Sequence, residues 1–148
     1  MPQSFSKVYL HIIFSTKFRK PIVTSAFQSI LHSYIVSLGA NLGTFTEEIY
    51  ANPDHIHWLC TLPRTLTIAE LVQKVKISSS NKMAELGIKE FSWQKGYAAF
   101  SVSQSKLSVV KRYIQNQEEH HKKVSFQEEY LKFLGENGLE HDDKYVWD

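Results

Sequence analysis

The chain has 148 residues, 43% hydrophobic and 22% charged, which is enough length and apolar content for one compact domain with its own core. Its longest apolar runs, Val8–Phe14 with His11 inside it and Ile56–Leu59, are far too short to span a bilayer, and Met1-Pro2-Gln3-Ser4 lacks the basic-then-apolar layout of a signal peptide. A single cysteine, Cys60, excludes an intrachain disulfide and points to a reducing cytoplasm; its apolar neighbours make it a core residue before a nucleophile.

The net charge of +2 conceals an uneven distribution. Residues 1–123 carry 15 of the 17 Lys/Arg and 8 of the 15 Asp/Glu, so the body is basic and the last 25 residues form an acidic tail. Such a body is compatible with a polyanionic partner but does not by itself identify one.

In chain order, Lys7–Ser15 reads as a buried strand, with Val8, Leu10, Ile12 and Phe14 on one face and Tyr9, His11 and Ile13 on the other. It ends in a basic loop, Thr16-Lys17-Phe18-Arg19-Lys20-Pro21. Thr24 or Ser25 caps a helix reaching about Leu38, with Gly39 just beyond it in the position favoured for a C-cap. Thr44–Ala51 and His55–Leu62 form a hairpin across the turn residues Asn52-Pro53-Asp54. Thr67-Ile68-Ala69-Glu70 is a capping box opening a helix that buries Leu71, Val72, Val75 and Met83. Tyr97–Val102 is a final strand after a bend at Gly96. A helix from Ser103 or Ser105 then runs through Tyr113 toward His121, and Ser125 caps a shorter one ending at Gly135. Tyr145 and Trp147 are candidate anchors for the tail.

Strand–helix–strand–strand–helix–strand is the ferredoxin-like (RRM-like) pattern of an α+β protein: an antiparallel sheet with helices on one side, followed by C-terminal helices that carry the tyrosine. Residues 1–148 read as one domain, with 125–148 a C-terminal helix and acidic tail. The second sheet face is expected to be open to nucleic acid or to a partner subunit.

Two features suggest chemistry. His55 and His57 lie one residue apart on a strand and therefore face the same way, where buried imidazoles need hydrogen-bond partners or a metal. Tyr113 and Gln117 lie four apart on a helix and share a face. A phenol, with a pKa near 10, is a poor nucleophile unless a cation stabilises the phenolate. Two imidazoles and an amide oxygen leave coordination positions free for phosphate and water, and this donor mixture suits Mn²⁺ or Mg²⁺. A tyrosine–phosphate bond also conserves the energy of the cleaved phosphodiester, which favours strand transfer over hydrolysis. The structural alternatives are hydrogen-bonded surface histidines and a tyrosine at the margin of an amphipathic helix.

Asn52-Pro53-Asp54-His55-Ile56-His57, with Tyr113-Ile114-Gln115-Asn116-Gln117-Glu118-Glu119-His120-His121, resembles the single-tyrosine HUH transposases of small bacterial insertion sequences. The resemblance runs from the first strand to the Ser125-Phe126-Gln127-Glu128-Glu129 segment. It implies His55, His57 and Gln117 as metal ligands and Tyr113 as the nucleophile. It further implies cleavage and rejoining of single-stranded DNA at hairpin-containing ends through a 5′-phosphotyrosine. Also implied is a homodimer in which one subunit's tyrosine helix can complete the other's site.

Lys17, Arg19, Lys20, Lys111 and Arg112 are the leading candidates for DNA contact, followed by Lys74, Lys76 and Lys82. Trp93 and Tyr97 are candidates for stacking on bases or for the core. His120 and His121 read as surface or DNA-backbone residues at a helix end, and His11 either approaches the site or packs. Three other functions stay open: a domesticated hairpin-repeat endonuclease, a non-catalytic nucleic-acid-binding module, and a phosphodiesterase in which water attacks.

Overall fold

The structure, a computed structural model, describes residues 2–148. Four antiparallel strands, β1 (Tyr9–Ser15), β2 (Thr46–Ala51), β3 (His55–Thr61) and β4 (Ala98–Val102), form one sheet in the order β2-β3-β1-β4. This is the ferredoxin-like order, with β1 and β3 at the centre. Helices α1 (Ser25–Asn41) and α2 (Ile68–Glu85) cover one face. Strand alternation sends Leu10, Ile12 and Phe14 of β1 and Ile56, Trp58 and Cys60 of β3 into that layer, against Leu31 and Ile35 of α1 and Leu71, Val75 and Met83 of α2. Burial among these neighbours pushes the Cys60 thiol pKa up, so it is a core residue.

The local signals act as their chemistry requires. The Thr67 hydroxyl accepts from the Glu70 amide while the Glu70 carboxylate accepts from the Thr67 amide, completing the capping box of α2. Ser125 caps α5 (Phe126–Glu136) by accepting from the Glu128 amide. Gly39 differs from expectation: α1 continues past it to Asn41, and Gly43, at φ 88°, takes the left-handed turn after the helix. Gly39 instead lets α1 approach Trp58, whose Cζ2 would lie 3.2 Å from an added Cβ.

The second sheet face is not open. The Tyr113 helix is divided into α3 (Leu107–Gln115) and α4 (Gln117–His120) by a break at Asn116, and α3 packs on β2 and β3. Phe126, Tyr130 and Leu134 of α5 pack with Ile13, Ala98 and Phe100. His11, His55 and His57, all on this face, are at most 2% exposed. Strand periodicity identifies this face but not what lies over it, because its cover, α3 and α5, comes from distant parts of the chain. The tail docks through Trp147, packed on Phe126 and Tyr130, and through the Asp148 carbonyl, which accepts from the Lys95 and Gly96 amides. Tyr145 is 57% exposed and is not an anchor.

Candidate active site

The site lies between β3 and the helices α3–α5. His55 is opposite Ser15 and His57 opposite Ile13 in the β1–β3 ladder, so both rings project toward α5. Glu129 of α5, buried at 2% exposure, faces them. Its Oε1 lies 2.7 Å from His57 Nε2 and 3.4 Å from both His55 Nε2 and His121 Nε2. His55, His57, His121 and Glu129 bring ligand atoms within 4.8 Å of one another. Gln117 Oε1 joins them, 2.8 Å from His121 Nε2, and accepts from the Asn52 amide at 3.2 Å.

The outer nitrogens of these rings are all engaged. His55 Nδ1 donates to Asp54 Oδ1 at 2.7 Å, His121 Nδ1 donates to the Val124 carbonyl at 2.8 Å, and His57 Nδ1 lies 2.8 Å from His11 Nε2. Because the Nδ1 hydrogens of His55 and His121 point outward to acceptors, their neutral rings aim lone pairs at each other across 3.0 Å. Only a cation, a proton or a metal ion, makes that contact favourable. A carboxylate or carbonyl orienting each ring from behind is the usual support of a histidine metal site. The donor chemistry therefore fits a divalent metal.

The charges are strongly coupled. Burial opposes charge on His55, but the carboxylates of Asp54 and Glu129 outweigh it and raise its pKa above 6.5. Burial dominates at His57 and lowers it to about 4 despite Glu129. Burial alone would raise Glu129, yet hydrogen bonds from His121, His55 and His57 hold it well below the usual carboxylate range.

Tyr113 enters from α3, its ring centroid 5.7 Å from that of His57. Its hydroxyl donates to Glu129 Oε2, and His120 Nε2 lies 3.1 Å from the phenol oxygen and 3.0 Å from Glu129 Oε2. Burial, then the Glu129 carboxylate, raise the Tyr113 pKa, so the phenol is protonated at rest. A cavity of about 330 Å³ opens beside the phenol, lined by Val110, His120, Glu129 and Phe133 among others.

The structure thus brings His55, His57, Tyr113 and Gln117 together within one chain. His121 and Glu129, which the sequence reading did not place in the site, join them, and His120 and His11 stand immediately behind. The Gln117–His121 spacing of four was a legible signal for His121. Nothing local marks Glu129, which reaches the site only because α5 folds back.

The basic candidates scatter. Lys17, Arg19 and Lys20 form an exposed or half-exposed loop, whereas Lys111 pairs with Glu47 at 3.2 Å and Arg112 is exposed on α3. Lys74 is exposed, the Lys76 ammonium is held by the carbonyls of Gln94 and Gly96, and Lys82 lies over the Tyr34 ring. Trp93 belongs to the core: it is 7% exposed, its indole donates to Ser79, and it stacks edgewise on Phe14 and Phe91. Tyr97 is 36% exposed.

The fold and the site together define a ferredoxin-like α+β protein whose sheet carries a histidine pair opposite a helical tyrosine. The profile of the family "Transposase IS200 like" matches residues 4–117, and the chain belongs to this family. A candidate transposase from Deinococcus radiodurans R1 has the same fold, with a TM-score of 0.63 at 20% identity over 79% of this chain and 98% of that one. A REP-associated tyrosine transposase, solved bound to a REP hairpin, matches with a TM-score of 0.62 at 16% identity over 84% of this chain and 74% of that one. No curated protein sequence matches significantly. Among the described residues no helix is long and apolar enough to cross a membrane.

Proposed function

We propose that this transposase cleaves and rejoins single-stranded DNA near hairpins through a 5′-phosphotyrosine on Tyr113. The observation that carries this reading is the Glu129 carboxylate, with one oxygen on the histidine cluster and the other on the Tyr113 hydroxyl. His55, His57 and Gln117, together with His121 and Glu129, are the proposed metal ligands. These residues would hold a divalent cation, Mn²⁺ or Mg²⁺, which would neutralise phosphate charge, and their nitrogen-rich donors favour Mn²⁺ of the two.

In the proposed step Tyr113 gives its proton to the neutral His120 Nε2, 3.1 Å from the phenol oxygen, the Glu129 carboxylate stabilising the imidazolium that forms, and the phenolate oxygen forms a bond to phosphorus. The bond from phosphorus to the 3′-oxygen breaks, and that oxygen takes a proton from water. The product is a 5′-phosphotyrosine and a free 3′-hydroxyl, whose later attack on the linkage reverses the step and rejoins strands. The likeness to a hairpin-bound relative supports hairpin DNA as the substrate, whether the chain serves a mobile element or a domesticated repeat.

The test is end-labelled single-stranded hairpin DNA with the protein and Mn²⁺ or Mg²⁺, analysed for a denaturation-resistant protein–DNA adduct. The wild type is expected to form the adduct and Tyr113→Phe to form none. Metal-dependent cleavage that survives Tyr113→Phe without an adduct would make the protein a hydrolase. Binding without cleavage would make it a non-catalytic module.

A further inference from the structure

We propose that Phe18 is a stacking platform for an unpaired nucleobase of single-stranded DNA, at the edge of the candidate active site. This inference rests on the proposed DNA substrate and adds a protein contact to the base rather than to phosphate.

Phe18 and Arg19 both adopt left-handed backbone conformations, at φ 58° and 56°. Two consecutive non-glycine residues there are strained, and such strain persists only where surrounding structure enforces it. The enforcement is visible. The Thr16 amide donates to the Asp54 carbonyl at 2.8 Å, the Lys17 amide to Ser92 at 2.8 Å, and the Thr16 hydroxyl to the Lys20 carbonyl at 2.7 Å. What this clamp achieves is to hold a phenylalanine ring outward, 68% exposed. The ring contributes nothing to either core cluster, so the fold has no use for it in that position.

The surroundings match a nucleic acid strand. Lys17 Nζ lies 5.4 Å from the Phe18 ring centroid, and Lys20 follows, exposed, two residues on. Lys17, Arg19 and Lys20 have no carboxylate partner among the described residues. An aromatic ring flanked by unpaired cations is the combination that binds single strands, the ring stacking on a base and the cations on phosphates. A partner protein recognised through the ring alone would not need the cations.

The loop is also joined to the active site. Arg19 lies 5.1 Å over Trp147, Trp147 packs on Phe126, and Phe126 stacks on His55 with centroids 4.2 Å apart. Asp54, whose carbonyl anchors the loop, is the same residue whose carboxylate orients His55. A strand with its phosphate at the histidine cluster is thereby within reach of Phe18.

The test is equilibrium binding of unstructured single-stranded DNA carrying one 2-aminopurine, with chelator present so that no cleavage competes. Phe18→Ala is expected to weaken binding roughly tenfold and to abolish the quenching of 2-aminopurine, with the salt dependence unchanged. Lys17→Ala and Lys20→Ala are expected to weaken binding while lowering the salt slope by about one each. Phe18→Trp should retain affinity. Phe18→Gly should raise the melting temperature, because it relieves the strain, while losing affinity. If the wild type binds and Phe18→Ala binds within twofold with quenching intact, the platform is overturned and the DNA reading stands. If the wild type does not bind single-stranded DNA, both fall.

Discussion

Glu129 is the residue on which the site turns. A carboxylate at 2% exposure survives there because six groups face it: His55, His57, His120, His121, the Gln117 amide and the Tyr113 hydroxyl. Its two oxygens divide the work, one toward the three inner histidines and one toward the nucleophile. Glu129→Gln keeps the shape of the side chain but removes its charge. This variant is expected to bind Mn²⁺ some 10–100-fold more weakly in isothermal titration. Its adduct formation should fall by a similar factor, roughly 10–100-fold. Tyr113→Phe should bind Mn²⁺ like the wild type, so the two variants separate ligation from chemistry. Wild-type metal affinity in Glu129→Gln would remove Glu129 from the ligand set.

At the scale of elements, the β2–β3 hairpin serves both faces of the sheet. Its inward face carries Trp58, fully buried and hydrogen-bonded to Thr46, and its outward face carries the two histidines. The packing of α1 on the sheet depends on how closely it can approach Trp58, and Gly39 sets that approach. Gly39→Ala gains up to ~1 kcal/mol of helix propensity. Against this stands an overpacking cost of about 1–3 kcal/mol at a fully buried indole. The expected balance is a loss of roughly 1 kcal/mol by urea denaturation, and a gain in stability would show that Trp58 has room to move. The Tyr113 segment shows the opposite economy: its break at Asn116 turns Gln117 inward to full burial while α3 stays on β2 through Lys111–Glu47 and Gln115–Glu48 contacts.

For the whole molecule, the C-terminal helices convert a two-layer ferredoxin-like unit into three layers, with the polar cluster held between sheet and helices. Tyr113, the histidines and Glu129 all come from one chain, so the proposed site is complete in cis. Mixing His57→Ala with Tyr113→Phe subunits is therefore expected to restore no adduct. Recovery on mixing would mean that the tyrosine helix exchanges between the subunits of the proposed homodimer, as the family resemblance implied. The edges of the sheet, β2 and β4, are the surfaces through which two such sheets would join.

Legibility from the sequence follows the range of the interactions. Strand alternation, the Thr67 capping box, the turn at Asn52-Pro53-Asp54 and the same-face pairs His55/His57 and Tyr113/Gln117 are local, set within a few residues by backbone geometry. They were enough for the element order, the fold class and the expected nucleophile and histidine pair. Gly39 shows the limit at short range, since its role against Trp58 depends on a residue 19 positions away. The covering of the second face, the entry of His121 and Glu129 into the cluster, and the burial of Trp93 arise from packing between distant elements. No periodicity records where α5 lies relative to β3. The sequence alone determined which side chains could do the chemistry, because residue type and spacing are local properties. The tertiary structure alone decided which carboxylate meets them, because that contact, between residues 57 and 129, exists only once sheet and helices have closed on each other.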